Sequence, residues 1–560
     1  MEKRLILAIV LSIAVLLLYQ HYFMPEPPKG PATKAATGQT PASGNDNART
    51  ASPTAASGAP AAMAAPGAGA PLRQTPARTI SVRTPLFTAM IDTAGGGLSS
   101  FRLARYPDVQ GPGGKPLDII GSGTTRPLPF DLSLGGSQPA LPPVPVYASD
   151  APGEVVVKPG EKKTVTLSWT SSGGIRIVRD YRFSADAYDF DVGAQVTNGT
   201  RETVRVAPGV ELSQEFLGEL SGDSYVFKGA VLGTRGGLER VDLKAIAKGK
   251  VGKTPVTWAA ADSKYFALIV LPGKEWTLER LAPLGEQGLQ MALGEAPATL
   301  SPGESVRFGF RAFAGPKEAD LLKRTGKGLE NLIDYGWFSF LAKPLVWLLD
   351  ESHRMTRNYG LDIIFLTVLV KILFYPLTRK SLQSMKKMQD LAPILTKLRE
   401  KYKDDKARLN QETMNLYKTY KINPFSGCLP MLLQIPVFIA LYKALLVTIE
   451  LRQSPFFLWI TDLSAPEHLW DLTVAGYVIP IRLLPLLMGI SMFIQQKMTP
   501  SGGMDPAQQK MMLLMPVIFT FMFWGFPTGL VIYWLVNNLL SIGQQVIHNR
   551  QAAAAQAASP

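Results

Sequence analysis

The chain has 560 residues, a formal net charge of +14, 46% hydrophobic residues and one cysteine, Cys428. This length allows several domains, and a single cysteine excludes a disulfide framework. The sequence also lacks a phosphate-binding loop, an HExxH motif, paired cysteines and a nucleophile elbow. We therefore predict that the protein is not an enzyme and that it uses no metal and no other cofactor.

The first part of the chain predicts an anchor followed by a tether. Residues 1–24 begin with a short basic stretch and continue as an apolar run that ends without the small residues of a signal-peptide cleavage site. We predict an uncleaved transmembrane anchor whose amino terminus is cytoplasmic. Residues 25–78 are mainly Pro, Ala, Gly, Ser and Thr, a composition that cannot bury enough surface to fold, so we predict a flexible linker.

Residues 79–325 show short runs in which apolar and polar residues alternate, separated by turn residues. One run places Val165, Leu167 and Trp169 on the same side of a strand. This pattern predicts a large antiparallel all-β domain, a sandwich, which the anchor delivers outside the cytoplasm. No catalytic spacing of carboxylates is recognisable, so a scaffold or docking surface is the favoured role. Sugar binding or sugar chemistry is the alternative.

Lys371 lies within an apolar segment, residues 361–377, that is long enough to cross most of a bilayer. A charge at such a depth costs about 2.5 to 3.5 kcal/mol, and residues that bear this cost usually face a wet cavity. Thr367 precedes Lys371 by one helical turn, so the lysine belongs to a polar stripe. We predict a functional site here. The alternative is that the lysine side chain snorkels to a membrane interface.

The rest of the chain predicts further membrane segments. Residues 326–352 are aromatic, amphipathic and interrupted by Lys343 and Pro344, which favours an interfacial helix over a spanning one, with an ordinary buried helix as the alternative. Four apolar segments follow the segment that carries Lys371, and with the anchor they predict six crossings. These four segments are residues 424–448, 477–494, 511–526 and 528–547.

The loops set the orientation. Residues 379–421 carry twelve basic and five acidic residues, whereas residues 450–471 carry one basic and four acidic residues. The positive-inside rule places the first loop in the cytoplasm and the second outside. Both termini are then cytoplasmic, and residues 549–560 form a short cytoplasmic tail. The inner loop 379–421 also predicts a helical hairpin with a basic face, which can serve topology, anionic lipid or ribosomal RNA.

Polar side chains recur inside the other apolar segments. In a membrane such side chains often only bridge helices. Together with Lys371 they can instead line a hydrophilic recess, and this is the hypothesis that we carry forward. The residues concerned are Gln434, Thr520, Tyr533 and Asn537, and the last two belong to a ladder that continues to Ser541 and Gln544.

Several segments of the carboxyl-terminal half resemble one protein family. They include DYGWFSFLAKPL, YPLTRKSLQSMKKMQDLAP, KINPFSGCLPMLLQIPVFIALY and FPTGLVIYW. In these segments the chain is similar to the YidC/Oxa/Alb family of membrane protein insertases, and more narrowly to its Gram-negative bacterial members. The resemblance covers nearly all of residues 334–547.

The resemblance implies a multi-domain membrane protein of the bacterial inner membrane. Its six-crossing α-helical part consists of the N-terminal anchor plus a five-helix insertase core at residues 353–548, and its large all-β domain is a periplasmic supersandwich. The core encloses a hydrophilic groove that is open to the cytoplasm and to lipid. The implied function is to insert and help fold inner-membrane proteins, alone or with the Sec translocon.

The resemblance also implies roles for single residues. Lys371 stands where the family normally has arginine, which keeps the charge and loses the bidentate fork. The implied groove residues are Lys371, Thr367, Gln434, Thr520, Tyr533 and Asn537. The implied slide for the apolar part of a client consists of Ile364, Val368, Met488 and Met492. The residues implied in recruitment by the cytoplasmic hairpin are Lys386, Lys387, Lys397, Arg399 and Lys401.

The implied partners are nascent membrane proteins, membrane lipid, the Sec translocon, and the ribosome or the signal recognition particle receptor, with no small-molecule substrate. Some relatives bind ribosomes through a long basic tail, and the ending QAAAAQAASP predicts that this mode of binding is weak here. Two other functions stay open at this point. One is a membrane transporter of a small anionic solute or lipid, and the other is an envelope-binding module that acts through the β domain.

Overall fold

The structure is a computed structural model that describes residues 76–557, except residues 112, 122–125, 135–136, 138–143, 222–225, 253, 404, 421–428, 475–476 and 499–505. The predicted anchor and nearly all of the predicted linker lie outside the described residues, as does Cys428. The description that follows therefore concerns the β domain and the helices after it.

The described residues from Thr79 to Pro316 form nineteen strands and one short α-helix. In chain order these are β1 (Thr79–Arg83), β2 (Phe87–Asp92), β3 (Leu98–Pro107), β4 (Pro116–Asp118), β5 (Leu132–Ser133), β6 (Glu154–Val156), β7 (Lys162–Thr170), β8 (Ile175–Ser184), β9 (Asp189–Asn198), β10 (Val204–Val206), β11 (Gly209–Glu215), β12 (Gly229–Thr234), β13 (Gly237–Asp242), α1 (Leu243–Ala247), β14 (Trp258–Asp262), β15 (Phe266–Pro272), β16 (Thr277–Leu284), β17 (Gly288–Gly294), β18 (Ala298–Leu300) and β19 (Ser305–Pro316).

An eight-stranded antiparallel sheet is the centre of this domain, with strand order β13-β12-β14-β15-β19-β9-β8-β7. A five-stranded sheet, β4-β3-β2-β1-β6, packs against it, and Phe87 on β2 lies 6.1 Å from Phe183 on β8, measured between ring centroids. A four-stranded sheet, β16-β17-β11-β5, and the pair β10-β18 complete the domain. The predicted alternation is confirmed on β7, where Val165 and Leu167 are buried.

The rest of the described chain is mainly helical. In chain order its elements are α2 (Ala319–Thr325), α3 (Ser339–Thr356), α4 (Tyr359–Asp390), α5 (Ala392–Lys401), α6 (Lys406–Thr419), α7 (Leu429–Val447), β20 (Trp470–Val474), β21 (Tyr477–Ile481), α8 (Leu483–Met498), α9 (Pro506–Phe523) and α10 (Thr528–Ala557). Helix α4 packs against α3 and α10, while α10 also packs against α8, and α8 against α9. Helix α7 packs against α3.

One predicted crossing is wrong in its outer part. Residues 477–494 were expected to be one helix, but Tyr477–Ile481 is a strand that pairs with Trp470–Val474, and the helix begins only at Leu483. Residues 477–481 are as apolar as the helix that follows Arg482, so hydropathy does not distinguish strand from helix here, and pairing with the preceding strand decides the outcome.

Two helix boundaries also differ from the expectation. Helix α3, which was predicted within residues 326–352, begins only at Ser339, because Asp334 accepts a hydrogen bond from the Gly336 amide in a turn. The predicted hairpin does not begin as a separate helix after the apolar segment of Lys371, because α4 continues without a break to Asp390. The chain then bends at Leu391, and Pro393 in the first turn of α5 suits a new helix start.

Two helices in the described part of the chain are long and apolar enough to cross a bilayer, Tyr359–Asp390 and Thr528–Gln551. Leu433–Val447 and Met511–Phe523 are shorter apolar helices. The predicted helical part is thus confirmed, whereas the count of six crossings stays a prediction.

The β domain contacts the loop between α7 and β20. The Gln110 side-chain amide donates hydrogen bonds to the carbonyls of Thr461, at 2.5 Å, and Gln453, at 3.0 Å. The Arg452 guanidinium donates to the carbonyl of Pro107, at the end of β3. These contacts place this loop at the same end of the helices as the β domain.

Candidate functional site

Lys371 forms a hydrogen bond across two helices. It lies on α4, half-buried, and its Nζ donates to Ser541 Oγ on α10 at 2.6 Å. The Ser541 hydroxyl in turn donates to the backbone carbonyl of Asn537 at 2.8 Å. This contact directs the ammonium toward a neighbouring helix and not along its own helix to an interface, which disfavours the snorkelling alternative.

The partner of Lys371 is neutral. A lysine ammonium has three donor hydrogens, and the Ser541 hydroxyl takes one of them. Within the described ranges, no carboxylate forms an ion pair with Lys371, in contrast to Lys317 of the β domain, whose Nζ lies 2.8 Å from a carboxylate oxygen of Asp262. The positive charge of Lys371 is therefore not neutralised by this part of the protein.

Gln434 and Tyr533 form a second contact between helices. The Gln434 amide on α7 donates to the Tyr533 hydroxyl on α10, and the Tyr533 side chain is buried. The structure thus brings together two of the predicted groove residues, but away from the surface. As groove-lining residues they remain predictions.

The two predicted threonines bond to their own helices. Thr367 is fully buried and its hydroxyl donates to the Ile363 carbonyl at 2.7 Å, while the Thr520 hydroxyl donates to the Pro516 carbonyl at 2.8 Å. Such bonds to the preceding turn are common for threonine in helices. Neither hydroxyl meets Lys371 through a hydrogen bond, so the predicted residues do not form a single hydrogen-bonded cluster.

The predicted apolar slide is only partly at the surface. Ile364, Val368 and Met492 are half-buried, and Met488 is fully buried. The exposed apolar side chains of α4 are instead Leu361, Phe365, Leu369, Ile372 and Leu373, and those of α8 are Leu486, Leu487, Ile490, Phe493 and Ile494. Helical spacing of three and four residues in the sequence would have identified both sets.

Sequence reasoning missed two contacts that hold α8 in place. The Asn538 amide on α10 donates to Ser491 Oγ on α8 at 3.0 Å, and both residues are buried. Gly489 on α8 lies against Thr520 on α9, so that a Cβ added at Gly489 would lie 2.0 Å from Thr520 Oγ1. Small residues at helix contacts allow such close approach in membrane proteins, and a glycine inside an apolar segment was the available signal.

The hairpin of α5 and α6 has its own small core. Leu391, Leu395 and Tyr417 are buried together. Among the predicted recruitment residues, Lys387, Lys397 and Lys401 are exposed, whereas Lys386 and Arg399 are half-buried. Of the five predicted recruitment residues, these three lysines are therefore the ones most available to a partner.

Comparison with known proteins identifies the family. The YidC periplasmic domain matches residues 79–348, and the 60Kd inner membrane protein family matches residues 351–555. Membrane protein insertase YidC of Syntrophus aciditrophicus is 40% identical over 561 residues, covering 99% of this chain and 100% of that protein. The protein of the same name from Pelobacter propionicus is 40% identical over 561 residues, covering 98% and 99%. The chain belongs to the YidC family of membrane protein insertases.

Membership in the YidC family confirms the resemblance seen in the sequence. It also confirms a periplasmic domain rich in β-sheet followed by a helical inner-membrane part. The crystal structure described as active YidC insertase with the first transmembrane domain resolved is 19% identical and covers 84% of this chain and 94% of that chain, with a TM-score of 0.36. Family membership favours insertion of membrane proteins over the transporter alternative.

The junction between the periplasmic domain and the helices of this YidC-family chain carries half-buried carboxyl groups. Burial raises the pKa of Glu450, in the turn after α7, to about 7, and the charges of Asp350, Glu318 and Asp320 raise it as well. Burial also raises the pKa of Asp350 on α3 to about 6. In the described part of the chain no group of three or more His, Cys, Asp or Glu side chains is arranged to hold a metal ion.

Proposed function

We propose that this YidC-family protein inserts membrane proteins by attracting the acidic or polar leading part of a nascent client to Lys371. The observation that carries this proposal is that the ammonium bonds only to a neutral hydroxyl among the described residues. Two unit charges 4 Å apart attract each other by about 4 kcal/mol at an effective dielectric constant of 20, and desolvation of the client group reduces this gain. A neutral partner leaves that attraction available to a client.

The apolar part of the client packs on exposed surface next to this charge. Helix α4 carries Lys371 and also presents Phe365, Leu369 and Ile372 outward. A client helix that leaves water gains about 25 cal/mol per Å² of apolar surface buried, whether it packs on these side chains or on lipid. An acidic tail that crosses the membrane gains a further ~2.3 kcal/mol per charge per 100 mV of membrane potential. These terms supply the driving force without a nucleotide.

The finer parts of the proposal concern topology and partners. We infer six crossings with both termini in the cytoplasm, a groove open to the cytoplasm and to lipid, and no enzymatic activity. The exposed Lys387, Lys397 and Lys401 of the cytoplasmic hairpin meet anionic lipid or the ribosome, and the protein also helps clients of the Sec translocon to fold. The strong basic excess of residues 379–421 supports the cytoplasmic position of this hairpin.

The test compares Lys371→Met, Lys371→Arg and Lys371→Glu in vesicles that contain only this protein. Protease protection of a short client is measured with an acidic tail and with a matched uncharged tail. The exposed Lys497, at the end of α8 away from the β domain, provides a control variant, Lys497→Met, that removes the same charge elsewhere.

We expect Lys371→Met to lower insertion of the acidic-tailed client by about tenfold or more, since 1.4 kcal/mol corresponds to a factor of ten. Lys371→Glu is expected to lower it further, and Lys371→Arg and Lys497→Met to retain it. The uncharged-tailed client is expected to lose less. Equal insertion of both clients by Lys371→Met and Lys371→Glu would exclude the attraction mechanism.

A further inference from the structure

The β20–β21 hairpin is attached firmly to the outer end of α8. Only Arg482 separates β21 from the helix, and the Leu484 amide in the first turn of α8 donates to a Glu467 carboxylate oxygen at 2.6 Å. The Arg482 side chain donates to the Trp524 carbonyl just beyond the end of α9. Because the preceding loop also contacts the β domain through Gln110, the hairpin lies on the periplasmic side.

Among the described residues of the hairpin, one face is apolar, and the other is mixed because Pro480 stands opposite Asp471. Trp470 pairs with Ile481, and residues directly opposite in an antiparallel ladder project to the same face, which Leu472 shares. Trp470 is 55% exposed and Leu472 46% exposed. The other face carries Asp471, whose carboxylate lies 2.9 Å from His468 Nε2. A two-stranded hairpin with an uncovered apolar face is marginal in water, so another surface must cover it.

The described part of helix α8 is shorter than the hydrocarbon core is thick. Its 16 residues span about 24 Å at 1.5 Å per residue, whereas the hydrocarbon core is about 30 Å thick. Its exposed apolar side chains, among them Leu486 and Ile490, form a lipid-facing surface in an inner-membrane protein. The hairpin adjoins the outer end of this helix with Arg482 alone between them, at the depth where tryptophan is enriched in membrane proteins.

We propose that the β20–β21 hairpin is seated in the outer leaflet of the bilayer, with the face of Trp470 and Leu472 in contact with lipid and the face of Asp471 and Thr473 in contact with water. The hairpin thereby lengthens the apolar surface of α8 and offsets the mismatch between the short helix and the bilayer. The occupant of this apolar face is lipid and not a second protein.

The test measures the depth of single nitroxide labels. Cys428 is the only cysteine, so Cys428→Ser gives a background into which one cysteine at a time is introduced. Leu472→Cys and Thr473→Cys compare the two faces on adjacent residues, in the full chain reconstituted in phosphatidylethanolamine and phosphatidylglycerol vesicles. The lipid reference is Ile490→Cys on α8, and the aqueous reference is Glu286→Cys in the β domain; both residues are exposed.

We expect the ratio of oxygen to nickel-chelate collision rates at position 472 to match that at 490, and the ratio at 473 to match that at 286. A water-like ratio at 472 would overturn the proposal. A label at 472 that neither reagent reaches would overturn it as well, since protein would then cover this face. The pair Trp470→Cys and Asp471→Cys repeats the comparison if a variant at 472 fails to fold.

Discussion

Replacing Glu450 by glutamine is expected to remove part of a pH-dependent loss of stability at the junction between the β domain and the helices. Burial raises the pKa of Glu450 from 4.5 to about 7, and Asp350, Glu318 and Asp320 raise it in addition. Glutamine has nearly the same shape and no ionisable proton. The variant therefore isolates the ionisation of this one carboxyl group.

The sign follows from which state holds the proton more tightly. Below pH 4.5 the Glu450 carboxyl is protonated in both the folded and the unfolded chain, so it has no effect on their balance. Between there and about pH 7 it ionises in the unfolded chain but stays protonated in the fold, so stability falls as the pH rises. At about 1.4 kcal/mol per pKa unit, the full loss is about 3 kcal/mol. It remains constant above the folded-state pKa.

The assay is the melting temperature of the purified protein in lipid nanodiscs at a series of pH values between 5 and 8. We expect the melting temperature of the unmodified protein to fall over this range and that of Glu450→Gln to fall less and to be higher at the alkaline end. Asp350, whose pKa is raised to about 6, retains part of the slope in the variant. Glu286→Gln, at an exposed position in the β domain, is the control. A slope in Glu450→Gln equal to that of the unmodified protein would refute the reasoning.

Two further changes test packing and charge pairing. Gly489→Ala places a Cβ 2.0 Å from Thr520 Oγ1, so we expect a lower melting temperature from about 1 to 3 kcal/mol of overpacking, with recovery in the double variant with Thr520→Ala. Lys317→Met leaves the carboxylate of Asp262 buried without its partner at 2.8 Å. We expect a loss of about 3 to 5 kcal/mol in denaturation of the β domain, and a much smaller loss when Asp262→Leu is added.

The class of the β domain could be predicted because strand periodicity is local. Val165 and Leu167 alternate with polar residues within a single strand, and the structure buries both. The sheet order could not be predicted in the same way. Strand β9 pairs with β19, with Val192 opposite Phe310, and nothing within either strand specifies a partner so far along the chain. Such pairings depend on packing of the complete domain.

The helical part shows the same division between local and distant information. Lys371 was recognisable because a charge inside an apolar segment is costly. Its partner Ser541 could not be singled out from the other polar residues spaced one turn apart on α10. The rotation of α10 about its axis decides which of these residues faces α4. Strand β21, which precedes α8, was mistaken for helix because hydropathy does not distinguish an apolar strand from an apolar helix.

Lys317 and Lys371 show what distinguishes a structural charge from one kept for a ligand. Lys317 is paired with Asp262, so its charge is neutralised. Removal of Lys317 leaves the Asp262 carboxylate buried without a partner, and the desolvation cost of that charge is then uncompensated. Lys371 bonds to a hydroxyl, so its removal leaves behind only Ser541, which keeps its own bond to the Asn537 carbonyl. Lys371→Met is therefore expected to preserve or raise the melting temperature while it lowers insertion. A charge whose loss harms function and not stability is one that the fold maintains for a partner outside the chain.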